Sequence, residues 1–157
     1  MPSAPADHLA KDIMSSPALT IGKDESVAAA AKLMLEKNVG ALPVVGADGK
    51  YLGMVTERTL IPHEENAPFL HRPVLVYMGQ FVGRDEEIEQ AIAEAKSKKV
   101  SALMSKSVPT VAENTPVSEL AAKMIRRNVH HLPVLRDGKV VGIVSRHDLL
   151  RVMAGPS

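Results

Sequence analysis

The sequence predicts an α/β protein of the α+β type: two β-α-β-β-α units related by a pseudo-twofold axis, packed sheet to sheet, with a helix-bearing connector inserted between them. Three observations predict it. Asn38-Val39-Gly40-Ala41-Leu42-Pro43-Val44-Val45 returns as Asn128-Val129-His130-His131-Leu132-Pro133-Val134-Leu135. Each copy is followed by Asp-Gly-Lys and then by Gly53-Met54-Val55-Thr56 or Gly142-Ile143-Val144-Ser145. Residues 14–46 align with 104–136 without a gap, and residues 48–60 align with 137–149 once Ala47 is skipped. An internal repeat decides architecture before any other feature does. Two units of this size are each marginal alone, so burying one against the other is the expected solution.

Residues 9–14 read as a short helical turn ended by Ser15-Ser16-Pro17, and Leu19-Thr20-Ile21 as a brief strand. Residues 26–38 are alanine-rich, with Val27, Ala31, Met34 and Leu35 at helical spacing. Strands at 42–45 and 51–55 join around Asp48-Gly49, a strong hairpin signal. Thr56 then caps a short helix that Pro62 limits. In the second unit Thr115 is a good N-cap and Pro116 fits the first helical position, where its missing N–H costs nothing. That helix runs to Arg127 with Val117, Leu120, Ala121, Met124 and Ile125 as its inward stripe. Val134-Leu135, the Asp137-Gly138 turn and residues 140–144 form the second hairpin, and Ser145 opens a last helix that ends before Gly155-Pro156. The connector, 62–101, has no counterpart in the repeat. Its residues 62–73 read as an irregular polar loop and 74–78 as a strand or a short helical turn. Residues 85–98 read as an amphipathic helix with Ile88, Ala91, Ile92 and Ala95 on one face.

Composition narrows the function classes. Lys plus Arg number 19 against 18 Asp plus Glu, which argues against a general binder of nucleic acid. With two Phe, two Tyr and no Trp, stacking platforms for bare bases are scarce. The absence of cysteine removes disulfides, thiolate chemistry and cysteine-ligated metal. No apolar run approaches the roughly 18–20 residues of a membrane span, and no signal-peptide pattern opens the chain. These features lead to an expectation of a soluble, cytoplasmic protein with no nucleic-acid or membrane partner.

Leu-Pro-Val, then Asp-Gly, then Gly-h-h-Ser/Thr (h being hydrophobic), occurring twice in this order, resembles a tandem pair of CBS domains, also called a Bateman module. The resemblance covers residues 12–61 and 102–152. It implies unit one over 8–61, a connector over 62–101 and unit two over 102–153. It further implies a regulatory rather than catalytic role, with no required cofactor and an adenosyl ligand (AMP, ADP, ATP or S-adenosylmethionine) held in paired clefts. A homodimer and an effector protein receiving the signal are the implied partners. By this resemblance the first cleft takes Thr20, Ile21, Gly40, Ala41 and Pro43 from unit one and Ser145, Arg146, His147 and Asp148 from unit two. Asp148 would grip the ribose, since an ionised carboxylate can accept from both hydroxyls, beside the free N–H donors of the last helix. The second cleft takes Thr110, Val111, His130, His131 and Pro133 with Thr56, Arg58 and Thr59. There Thr59 stands where unit two has Asp148, so the charged ribose acceptor is missing, while the histidines and Arg58 offer groups for phosphate.

Plainer readings stand beside these. Ser145-x-x-Asp148 is also a capping-box pattern, which a helix uses with or without a ligand. Gly53 and Gly142, inside strands, admit the close approach of a ligand or of another backbone. His130 and His131 are adjacent, and strand neighbours face opposite ways, so no shared metal ion is expected of them. No serine on a glycine elbow accompanies His147-Asp148, which argues against a hydrolase. Two rivals remain: a ligand-free dimerisation or interaction scaffold, favoured by Thr59, and a small-molecule enzyme, disfavoured by the missing nucleophile and phosphate loop.

Overall fold

Each copy of the repeat folds into a three-stranded sheet covered by helices, and the two copies exchange the short helix that precedes them. The computed structural model describes residues 8–60, 63–65, 74–77, 80–82 and 85–155. In chain order the first half holds α1 (Ala10–Ile13), β1 (Ile21–Gly22), α2 (Val27–Lys37), β2 (Ala41–Val45), β3 (Tyr51–Thr56) and α3 (Glu57–Leu60). The connector holds β4 (His63–Glu65), β5 (Val74–Tyr77), β6 (Gln80–Val82) and α4 (Asp85–Lys96). The second half holds α5 (Val100–Leu103), β7 (Val111–Ala112), α6 (Val117–Arg127), β8 (His131–Arg136), β9 (Lys139–Ser145) and α7 (Arg146–Ala154).

The two main sheets have matching registers. β1 runs parallel to β2 with Ile21 opposite Val44, and β7 runs parallel to β8 with Val111 opposite Val134. β2 and β3 are antiparallel with Ala41 opposite Thr56, as β8 and β9 are with His131 opposite Ser145. Side chains alternate across a strand, so Leu42, Val44 and Val55 join Ala30 and Met34 in the first core. Leu132, Val134 and Val144 join Leu120 and Met124 in the second. The alternate residues, Ala41, Pro43 and Met54 in unit one and Pro133 in unit two, are also buried, on the opposite face. The hairpin tips meet across the pseudo-twofold, where the Tyr51 N–H donates to the Gly138 carbonyl at 2.9 Å.

The exchange is reciprocal. Ala10 of α1, at the start of unit one, is fully buried in the core of unit two, and its N–H donates to the Thr115 carbonyl at 2.8 Å. Val100 of α5 is fully buried in the core of unit one, and its N–H donates to the Glu25 carbonyl at 2.8 Å. The segments that follow continue the pattern. Ser15 exchanges two backbone hydrogen bonds with Ile143, at 2.9 and 3.2 Å, and Ser105 exchanges two with Met54, at 2.7 and 2.9 Å. These crossings explain the glycines inside strands. A Cβ at Gly53 would lie 2.8 Å from the Ser105 carbonyl oxygen and 2.9 Å from Met104 Sδ, and Met14 and Ser15 crowd Gly142 in the same way. Another backbone, not a ligand, needs the space.

Several sequence expectations shift. Pro116 is itself the N-cap of α6 (φ −63°, ψ 146°), because the Val117 N–H is served from outside by the His8 carbonyl at 2.9 Å. Thr115 Oγ1 instead accepts from the Ala112 N–H at 3.0 Å and closes the preceding turn. The inward stripe of α2 is Val27, Ala30 and Met34, so Ala31 is exposed and Leu35 is 83% exposed. Ile125, its equivalent in α6, is 78% exposed. With apolar residues nearly all round α2, periodicity could not choose the buried side. In the connector, residues 74–77 are a strand, and His63–Glu65 within the expected polar loop pairs with it, His63 opposite Val76. An edge strand needs only a backbone partner, so apolar patterning does not reveal it. Residues 66–73 of that loop lie outside the described residues. On α4, Ala95 is buried and Ile92 exposed, while the Ile88 side chain lies outside those described.

Candidate ligand cleft

The cleft is built where strands end and helices begin. β3 passes into α3 at Thr56 and β9 into α7 at Ser145, at equivalent places in the repeat. Both junctions are tied back to the start of the neighbouring strand: the Glu57 N–H donates to the Gly40 carbonyl at 3.3 Å and the Arg146 N–H to the His130 carbonyl at 3.0 Å.

The two junctions are capped by different chemistry. Asp148 Oδ2 accepts from the Ser145 N–H at 2.8 Å and from Ser145 Oγ at 3.1 Å, while the Asp148 N–H donates to Ser145 Oγ at 3.2 Å. Arg151 reaches Oδ1 at 3.4 Å. Asp148 is 5% exposed, with Ser145 on Oδ2 and Arg151 on Oδ1. At the other junction Thr59 Oγ1 accepts from the Thr56 N–H at 2.8 Å and donates to the Thr56 carbonyl at 3.0 Å. Thr59 thus performs the same cap without charge.

A cavity of about 490 Å³ opens at the Thr59 junction, between the units. That volume lies within the roughly 300–1,000 Å³ usual for small-molecule sites. Unit one walls it with Gly40, Met54, Thr56, Glu57, Arg58 and Thr59; the facing wall is Ser105, Ser107, Val108, Arg127, Asn128, Val129, His130 and His131. Asn128 adopts the left-handed conformation (φ 50°) that ends α6, which brings residues 127–131 round to the cavity. Arg127 is held at its edge by donation to the Ser107 carbonyl at 3.0 Å.

Of the second set of expected residues, Thr56, Arg58, Thr59, His130 and His131 wall this cavity. Thr110 is half-buried outside its walls, and Val111 and Pro133 are buried in the interior. Of the first set, Gly40 and Asp148 both lie by His131: a Cβ at Gly40 would stand 3.8 Å from its Cε1, and the Asp148 carboxylate acts on its imidazole. Thr20 and Ile21 border a separate groove of about 450 Å³ with Glu25, Lys32 and Glu36. Gly40 belongs to the cavity just described. Ala41 and Pro43 are buried, Ser145 is half-buried, and Arg146 and His147 are exposed. Sequence reasoning missed Met54, Glu57, Ser105, Ser107, Val108, Arg127, Asn128 and Val129. Asn128 and Val129 were visible in the repeat; the segment bearing Ser105 and Ser107 reaches the cavity only because of the helix exchange. His130 precedes β8, which starts at His131, so strand alternation does not fix the direction of its side chain.

Charge in the cleft is mixed. Burial holds the His131 imidazole below its ordinary pKa of 6.5, with His130 adding to the effect; Asp148 and Glu57 pull the other way but do not overcome it. Among the described residues no group of three or more His, Asp or Glu is placed to hold a metal ion.

The CBS domain family matches residues 10–64 and 100–155. This chain is a tandem CBS pair. A CBS domain-containing protein of Dictyostelium discoideum is 32% identical over 146 residues, spanning 92% of this chain and 90% of that protein. An L-aspartate semialdehyde sulfurtransferase of Methanocaldococcus jannaschii is 30% identical over 94% of this chain, but the pair spans only 23% of that protein. Among solved structures, a CBS domain pair in complex with 5′-methylthioadenosine and S-adenosyl-L-methionine is 29% identical, with a TM-score of 0.68 over 94% of this chain and 96% of that one. Among the described residues no helix is long and apolar enough to cross a membrane.

Proposed function

We propose that this CBS pair is a regulatory sensor that takes an adenosyl ligand in the cleft between Thr56–Thr59 and residues 127–131 and passes its occupancy to an effector protein. The observation that carries the reading is the cavity itself: about 490 Å³, walled by both units, with apolar Met54, Val108 and Val129 beside polar Thr56, Ser107 and Asn128. The similar pair bound to 5′-methylthioadenosine and S-adenosyl-L-methionine supports the ligand class. Because both units wall the cavity, a ligand that prefers one spacing of the units shifts that spacing by its differential affinity. In this reading the units extend over 8–61 and 102–153, and the protein works in the cytoplasm as a homodimer. The equivalent exposed side chains Leu35 and Ile125, with Leu150 and Met153 on α7, supply apolar surface for the second copy.

A thermal-shift panel of AMP, ADP, ATP, S-adenosylmethionine and NAD tests the sensor. A ligand that binds the native state raises the midpoint by mass action, by about 2.7 kcal/mol at a hundredfold excess over Kd. Loss of the shift in Thr56→Val or Asn128→Ala supports this cleft, and an unchanged shift in both removes it. A scaffold without ligand is the second reading. It is favoured by Thr59, whose hydroxyl is engaged by Thr56 as both donor and acceptor, and it predicts no shift with any of these compounds.

A further inference from the structure

We infer that Met14 and Met104 are a matched pair of modification sites, at which oxidation by peroxide to methionine sulfoxide releases the exchanged helices α1 and α5. The inference does not depend on what the cleft binds. Met14 is the C-cap of α1 and Met104 that of α5; the Met14 N–H donates to the Ala10 carbonyl and the Met104 N–H to the Val100 carbonyl, both at 2.9 Å. Each stands in the chain between a residue fully buried in the other half, Ala10 or Val100, and the backbone pairing made by Ser15 or Ser105. Each thioether lies over a strand glycine. Met104 Sδ and Cγ stand 2.9 and 3.1 Å from where a Cβ on Gly53 would be, and Met14 covers Gly142 in the same way. Their other contacts are apolar: Met104 packs against the cluster of Leu42, Val44 and Val55, and Met14 against that of Leu132, Val134 and Val144.

Exposure separates these two from the other methionines described. Met34, Met54 and Met124 are buried and Met153 is 76% exposed, whereas Met14 and Met104 are half-buried and open to a small oxidant in the folded chain. With no cysteine present, thioethers are the sulfur groups left to oxidise. In the step itself a sulfur lone pair attacks hydrogen peroxide, and an S–O bond forms as the O–O bond breaks. Sulfur gives up two electrons, and the departing hydroxide takes the proton of the transferred oxygen and leaves as water. The product is a polar sulfoxide. Its oxygen is costly among aliphatic side chains and reaches water only if the side chain swings outward. That movement uncovers the glycine and strips the exchanged helix of its end contact with the core. Ser105, next along the chain from Met104, walls the cleft, so the modification is felt there too.

Stepwise treatment of the full chain with hydrogen peroxide tests this, with peptide mapping of each methionine, thermal melts by circular dichroism and hydrogen exchange over residues 10–15 and 100–105. Met153 should oxidise first without moving the melt, Met14 and Met104 next, and Met34, Met54 and Met124 last. As sulfoxide accumulates at Met14 and Met104 the midpoint should fall by at least about 4 °C, and exchange at both helices should quicken. Methionine sulfoxide reductases acting on both epimers should restore the midpoint. Met14→Leu combined with Met104→Leu keeps apolar side chains of similar volume and should hold its midpoint at the same exposure, whereas Met153→Leu should fall as wild type does. If the double variant folds poorly, the wild-type course decides alone, since the midpoint must track Met14 and Met104 rather than Met153. Three results would each overturn the inference. They are full oxidation of both residues with the midpoint within about 2 °C of untreated protein, an equal fall in the folded double variant, and oxidation of both only in step with the three buried methionines.

Discussion

Gly53→Ala measures how tightly the exchanged segment is seated. The added Cβ would stand 2.8 Å from the Ser105 carbonyl oxygen, 2.9 Å from Met104 Sδ and 3.1 Å from Met104 Cγ. Comfortable carbon contacts begin at about 3.5 Å, so Ser105 must retreat by more than half an ångström. The sulfur is the movable neighbour; the carbonyl is not, because Ser105 is bound to Met54 by hydrogen bonds of 2.7 and 2.9 Å in opposite directions. Overpacking of this kind costs about 1–3 kcal/mol, and weakening either hydrogen bond adds about 1 kcal/mol. A total near 3 kcal/mol lowers the melting temperature of a domain this size by about 6–12 °C. Gly22→Ala is the control, since a Cβ there meets nothing nearer than Glu25 Cγ at 3.8 Å. Both variants are compared by urea unfolding and thermal melts followed by circular dichroism. If Gly53→Ala melts within about 2 °C of the Gly22→Ala control, the close crossing is not a feature of the folded protein.

Three other outcomes are expected. Because burial holds His131 below its ordinary pKa of 6.5, the unfolded chain takes up a proton first as pH falls. Its contribution is complete above pH 6.5 and is lost as pH drops through the folded value. The urea midpoint of wild type should accordingly fall more between pH 7.5 and 5.5 than that of His131→Asn; parallel curves would refute this. Asp148→Ala leaves the Ser145 N–H and Oγ without their acceptor and should cost about 2 kcal/mol, against about 1 kcal/mol for Thr59→Ala, measured by urea unfolding. The reverse order would show that the buried carboxylate is not held by its cap. Leu35→Glu combined with Ile125→Glu should convert a dimer to a monomer in light scattering at unchanged melting temperature, and a dimer that survives places the interface elsewhere.

Local chemistry made much of the fold readable. Asp137-Gly138 turns as its dipeptide predicts, both residues at positive φ (53° and 79°), which is the two-residue hairpin geometry. In unit one the extra Ala47 lengthens the loop, and Gly49 alone is positive, at 81°. The capping pattern Ser145-x-x-Asp148 was likewise visible and is fully formed. What sequence did not reveal depends on partners distant along the chain. Ala10 opens unit one along the chain yet is buried in the core of unit two, and no periodicity announces that. α2 presents Ala28, Ala29, Ala30 and Ala31 in succession, so its buried side is set by the sheet and α5. The cleft was half legible: Thr56 and the histidines follow from the repeat, whereas Ser105 and Ser107 enter it through the crossing that Gly53 permits.

The trading of α1 for α5 makes this chain indivisible. A cut in the connector yields two pieces, each carrying an arm shaped for the other and an empty seat in its own interior. Neither half is an independent building block, though the repeat suggests two. Any motion that parts the halves must draw both arms from their seats at once, so loosening at one end is felt at the far end as well.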